Sequence, residues 1–360
     1  MFPFMLLLFS VSLYPSFSIS TDTIFPGESI SGNRTLISQG GTFEMGLFSP
    51  GNTGNHYIGI WYKGLPQKTL VWVANRNRPV SDPLSSELKL LHDGNLVLLT
   101  SSKRQIWSTG STSLVPNSTS GVLLNNGNFI FRNISNLSNV AWQSFDHLTD
   151  TWLPGAKFKF NTSEKTVLVS WRNLNDPAPG IFSASMGSEG RAVFSLFNRS
   201  KAYWHCHDST GYDFELHPSV KTEDMINFTV DSNENGSYSQ YSSVAPFSLS
   251  RIVLEPTGLL RQLVWAKHTQ EWKVLWTQPA QKCEIYPFCG ASSNCNQRDA
   301  PLCDCALGYL DYLKMKDRLG RCERRNTSNC SGDRKDHFFL MPNTHLPNNY
   351  DSVMVENTEA

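Results

Sequence analysis

The chain has 360 residues, with 31 Lys and Arg balanced by 31 Asp and Glu, and 39% of its residues are apolar. A zero formal charge offers no basic face for nucleic acid, and the length suffices for two or three domains with cores of their own. Eight cysteines, seven of them between Cys283 and Cys330, point to a small disulfide-held module in an oxidising compartment.

The chain opens MFPFMLLLFSVSLYPSFSIS, an apolar run ending in small residues near Ser18 and Ser20. This predicts a secretory signal peptide over 1–20, without a basic n-region, and a mature chain from about Thr21. No later stretch of the sequence is apolar for long enough to cross a bilayer as a helix. Asn-x-Ser/Thr sites begin at Asn33, Asn117, Asn133, Asn136, Asn161, Asn198, Asn227, Asn235 and Asn326, with another at Asn329 beside Cys330. That density favours a glycosylated, extracellular surface.

Through residue 280, short runs of Val, Ile, Phe, Tyr and Trp alternate with Gly, Asn, Asp, Ser and Pro, which predicts an all-β fold. A loose repeat of Gly turn, strand, polar turn and Trp recurs as Asp93–Trp107, Asn126–Trp142, Glu189–Trp204 and Thr257–Trp272. Within it, the stretch HDGNLVLL has two readings. As a strand it sets Asp93, Asn95, Val97 and Leu99 on one face, two polar groups beside an apolar one, as a sugar requires. As Asp-Gly-Asn between apolar residues, it is a turn leading into a strand. The texture changes over 144–180, where prolines stand at 154, 177 and 179, the sign of a joint between two β units.

From Cys283 the cysteines run C-x5-C-x5-C-x7-C-x-C-x16-C to Cys322. The single residue between Cys303 and Cys305 argues for disulfides over zinc, though spacing cannot choose the pairing. His205-Cys206-His207-Asp208 reads as polar loop, since contiguous ligands coordinate poorly. The sequence holds no Gly-x-Ser-x-Gly, no His-Glu-x-x-His and no Gly-rich phosphate loop paired with a catalytic Asp, so no catalytic residue, metal or cofactor is assigned.

The segments GTFEMGLFSP, YIGIWYKGLP, LVWVANRNRPV, DGNLVLL, WQSFDHLTDTWLPGAKF and QKCEIYPFCGASSNC stand in order along the chain. Together they resemble the ectodomain of plant S-locus glycoproteins and G-type (bulb-type) lectin S-receptor-like serine/threonine kinases. The resemblance implies two tandem bulb-lectin-like β-prism domains, a bulb-type lectin domain over 21–150 and an S-locus glycoprotein domain over 151–280. An EGF-like module over 283–322 and the start of a PAN module over 323–360 follow. It implies Cys283–Cys295, Cys289–Cys303 and Cys305–Cys322 disulfides, and gives Cys206 no partner. The receptors of the family continue into a transmembrane helix and a cytosolic kinase, so a chain ending at Ala360 is expected to be shorter than they are.

Bulb lectins grip mannose with Gln-x-Asp-x-Asn-x-Val-x-Tyr. Here Asp93, Asn95 and Val97 match, while Leu91 and Leu99 stand for the Gln and Tyr. A second copy reads Leu124, Asn126, Asn128, Ile130 and Arg132. Losing the amide and the phenol removes two polar contacts, each contributing about 0.5–1.5 kcal/mol. The expected function is therefore extracellular recognition of a secreted protein, peptide or glycan, without catalysis in this chain, in pollen recognition or defence. A homodimer or co-receptor partner is expected, with membrane attachment only in a longer form. The alternative is a soluble mannose-type lectin or a soluble decoy receptor.

Overall fold

A computed structural model describes residues 21–111, 118–160, 162–187, 194–205, 226–233, 236–243, 249–285, 288–290, 292–296, 302–306, 309–311 and 322–324. The signal-peptide segment, Cys206, Cys330 and almost all of the PAN-like segment lie outside these residues.

Three short strands come first, β1 (Thr23–Ile24), β2 (Ser29–Ser31) and β3 (Leu36–Ile37), and each founds a different sheet. The chain then adds three strands to each founder in reverse order. β4 (Phe43–Phe48), β5 (Tyr57–Tyr62) and β6 (Thr69–Val73) extend β3; β7 (Glu87–Leu90), β8 (Leu96–Leu99) and β9 (Gln105–Ser108) extend β2. β10 (Thr119–Leu123), β11 (Phe129–Asn133) and β12 (Asn136–Gln143) extend β1. Three antiparallel four-stranded sheets result, facing one core.

The second half repeats this nesting. β13 (Thr151–Trp152), β14 (Phe158–Phe160) and β15 (Val167–Asn173) are the founders. β16 (Asp176–Met186), β17 (Phe194–Asn198) and β18 (Lys201–His205) extend β15, while β19 (Ile226–Asn233) and β20 (Gly236–Ser243) extend β14. β21 (Ser250–Leu254), β22 (Leu260–Ala266) and β23 (Glu271–Gln278) extend β13. The fold is all-β, two lectin-type prisms in tandem.

The sequence repeat has a physical basis in its outer hairpins. In each, an inner-strand residue opposes a tryptophan and a β-bulge follows at once. The pairs are Ile60 with Trp72, Leu98 with Trp107, Phe131 with Trp142, Leu196 with Trp204 and Gln262 with Trp276. A bulge bends and twists its strand, which re-aims the neighbouring side chain. Trp72 thereby meets Trp107 and Trp142 edge to face at 6.1 and 6.2 Å, one indole from each sheet of the first prism. The fourth repeat differs from the sequence reading. Its structural tryptophan is Trp276, because Trp272 pairs with Trp265 beyond the bulge and packs against the first prism.

The prisms share one continuous apolar core. The Tyr62 hydroxyl donates to the Ser250 carbonyl at 2.9 Å, and Trp272 Nε1 donates to Thr69 Oγ1 at 3.1 Å. Arg76 is buried, with all three nitrogen positions donating to carbonyls of β15 and β16. Beyond β23, two small ribbons pair β24 (Ser293–Cys295) with β25 (Cys303–Cys305) and β26 (Tyr309–Asp311) with β27 (Cys322–Arg324). Three disulfides, Cys283–Cys295, Cys289–Cys303 and Cys305–Cys322, hold them, the same partners that the resemblance implies.

Candidate functional site

The mannose-pattern residues do not share a strand face. β8 begins at Leu96, and Leu91–Asn95 is the turn that closes it onto β7. The Leu91 N–H donates to the Asn95 carbonyl at 2.9 Å and the Gly94 N–H donates to the Leu91 carbonyl at 3.0 Å. Gly94 takes a φ of 92°, a value open to glycine and costly for other residues. Asp93 Oδ1 accepts the Asn95 N–H at 2.8 Å, the local bond that makes Asp a turn former.

Asn95 looks inward as well. Its Oδ1 accepts from the Thr109 hydroxyl at 3.0 Å and from the Ser111 N–H at 2.9 Å, tying the turn to the segment after β9. Val97 is 1% exposed, so no sugar ring reaches it in this conformation. Of the three residues, only Asp93 is exposed.

The second copy has the same construction. The Leu124 N–H meets the Asn128 carbonyl, Gly127 has a φ of 86°, and Asn126 Oδ1 accepts the Asn128 N–H at 3.1 Å. Asn128, like Asn95, then holds the strand opposite. Its Oδ1 accepts from the Ser144 hydroxyl and the Phe145 N–H, both at 3.2 Å, and its Nδ2 donates to Gln143 at 2.8 Å. A third turn of this kind, without an asparagine, joins β21 to β22 around Gly258.

Among the described residues, clefts border the first prism at two places. One, of about 260 Å³, lies over the tryptophan trio and is lined further by His147, Thr109 and Asn77. Trp142 stacks on His147 at 5.1 Å, and Trp72 Nε1 donates to the His147 carbonyl at 2.8 Å. Burial lowers the His147 pKa, partly offset by Asp146. The other cleft, of about 330 Å³, lies between the segment after β6 and the β8–β9 hairpin. No sequence motif marked either one.

The Sγ atoms of Cys289, Cys295 and Cys303 lie within 4.8 Å of one another, but all three are in disulfides and offer no thiolate to a metal. His205 Nδ1 is 2.8 Å from the Ser195 hydroxyl, while Cys206, His207 and Asp208 lie outside the described residues. Among the sequons, Asn33 is exposed after β2, Asn133 and Asn136 flank the tip of the β11–β12 hairpin, and Asn198 ends β17. Asn227 lies in β19 with its side chain undescribed; Asn117, Asn161, Asn235 and Asn326 fall outside the described residues. Among the described residues, no helix is long and apolar enough to cross a membrane.

A family model for the D-mannose binding lectin matches residues 69–172, and one for the S-locus glycoprotein domain matches residues 204–312. The chain is 39% identical over 345 residues to the G-type lectin S-receptor-like serine/threonine-protein kinase At2g19130 of Arabidopsis thaliana, covering 92% of this chain and 41% of that one. It is 34% identical over 359 residues to the S-locus-specific glycoprotein BS29-2 of Brassica oleracea var. alboglabra, covering 96% of this chain and 80% of that one. Among solved structures, a monomeric monocot mannose-binding lectin from Gastrodia elata aligns at 20% identity and a TM-score of 0.27, over 34% of this chain and 96% of that one. The chain thus spans about two fifths of the length of the receptor kinases it matches.

Proposed function

From the premise that the chain belongs to the family of S-locus glycoproteins and G-type lectin S-receptor-like kinases, we propose that it is an extracellular ligand-recognition region without catalysis of its own. Its ligand is a secreted protein or peptide, or a glycan other than mannose. It serves pollen recognition or defence signalling, with a second receptor chain or a second copy as partner.

The observation that carries this reading is the use of the mannose pattern. Asp93, Asn95 and Asn128 bond within the chain and Val97 is buried, while the tandem prisms around them are intact. A lectin scaffold whose pattern asparagines bond within the chain and whose pattern valine is buried supports recognition by other surfaces. We assign 1–20 to secretion, 21–150 and 151–280 to the two prism domains, 283–322 to the EGF-like module and 323–360 to the start of a PAN module. The sequons Asn33, Asn133, Asn136 and Asn198 are the described sites we assign to glycan.

Expression of the chain in plant cells tests the location. The expected result is a product in the medium whose mass falls on enzymatic removal of N-glycans. An unmodified product retained in the cytosol contradicts it.

A further inference from the structure

The cleft between the segment after β6 and the β8–β9 hairpin has the makings of a ligand site that the mannose pattern does not touch. At about 330 Å³ it stands at the small end of small-molecule sites. Arg78 and Arg104 line it, both exposed, and among the described residues neither guanidinium has an ion pair or a hydrogen bond. Their neighbour Lys103, by contrast, is neutralised by Glu87 at 2.8 Å. Ser101 lines the same cleft and is exposed, while Ser86 in its floor is 2% exposed. Ile106, half-buried, supplies an apolar wall.

The backbone under these groups is fixed. The Arg78 N–H donates to the Asn75 carbonyl at 3.0 Å, and Asn75 Nδ2 donates back to the Arg78 carbonyl at 2.8 Å. Val80 exchanges both backbone bonds with His56. On the opposite wall, the Thr100 N–H donates to the Arg104 carbonyl at 3.0 Å, and the Arg104 N–H donates to Thr100 Oγ1 at 3.2 Å. Asp82 shares the cleft, yet its own turn engages it: Oδ1 accepts from the N–H groups of Leu84 and Ser85, and Oδ2 from the Ser85 hydroxyl. Both guanidiniums are left without a carboxylate.

We propose that this cleft binds an acidic saccharide, with a uronate carboxylate on Arg78 and Arg104, a ring hydroxyl on Ser101, and the C–H face of the ring on Ile106. Planar guanidinium forks match carboxylates. A simple anion makes no use of the apolar wall or the Ser101 hydroxyl, and a neutral sugar leaves two cations unanswered. The inference rests on the extracellular reading only for where such a sugar is met.

The test is calorimetric titration of the purified full chain with trigalacturonic acid, neutral galactotriose and sodium phosphate. The expected result is saturable binding of the acidic trisaccharide that weakens with salt, and no binding of galactotriose. Arg78→Gln and Arg104→Gln each weaken it about tenfold, and circular dichroism stays unchanged because these side chains bond nothing. The proposal is overturned by absence of saturable binding, by equal affinity in both variants, or by phosphate binding as tightly as the trisaccharide. A cytosolic chain that binds defeats the extracellular reading alone; a secreted chain that does not bind defeats the cleft alone.

Discussion

Arg76 Nη2 lies 2.6 Å from the carbonyl oxygen of Ser170, 94 residues further along the chain, and this bond fastens one prism to the other. The rest of the guanidinium completes the clamp, with Nε on the Pro177 carbonyl at 2.6 Å and Nη1 on the Val169 carbonyl at 2.9 Å. Burial pulls its pKa down, opposed by Asp150 and Asp176 nearby, and the cation stays charged because arginine starts so high. A fork that satisfies three fixed carbonyls makes the prisms a pair with one relative orientation.

Arg76→Met is expected to cost about 2–4 kcal/mol, since it strands buried carbonyls as well as losing charged hydrogen bonds. Arg251 is the contrast. It is half-buried, its Nη1 reaches the Leu70 carbonyl only at 3.4 Å, its Nε has no partner, and it rests 5.0 Å from the Trp272 ring. Arg251→Met therefore is expected to change stability by less than about 1 kcal/mol, because a half-buried cation with one long hydrogen bond is replaced by apolar volume against Trp272. Urea midpoints of the two variants check the difference; equal losses contradict it.

The turn asparagines should also rank. Asn128→Ala removes two accepted bonds and one donated bond at a residue that is 5% exposed, an expected loss of about 2–3 kcal/mol. Asn95→Ala removes two accepted bonds at a half-buried site, an expected loss of about 1–2 kcal/mol. Thermal unfolding of both single variants measures this, and a reversed order counts against the account of these turns as structural.

Reduction separates the cysteine module from the prisms. A segment of some 40 residues has too small a core to fold without its bridges, whereas the prism strands carry a shared apolar core and no described disulfide. Dithiothreitol is expected to open 283–322 to protease while the β signal in circular dichroism persists. Protection of that segment after reduction contradicts the module reading.

The all-β class was legible because Gly and Asn turns punctuate apolar runs rich in Val, Ile, Phe, Tyr and Trp. The bulge that decides which tryptophan is structural was not legible. A one-residue register change leaves no trace in spacing, so Trp272 and Trp276 were interchangeable to the eye. Likewise the sequence allowed Asp93 and Asn95 as strand face or turn and favoured the turn, but it did not show that Thr109 and Ser111 arrive from beyond β9 to occupy the Asn95 oxygen. The Arg78 and Arg104 cleft was invisible because its walls lie in different hairpins and carry no motif.

The most direct test of the central claim is calorimetric titration of the full chain with methyl α-mannoside and mannotriose to tens of millimolar, beside Asp93→Ala. The account predicts no saturable heat for either protein. Saturable mannose binding by the unaltered chain that disappears in Asp93→Ala contradicts it, and restores the turn at Leu91–Asn95 as a sugar site.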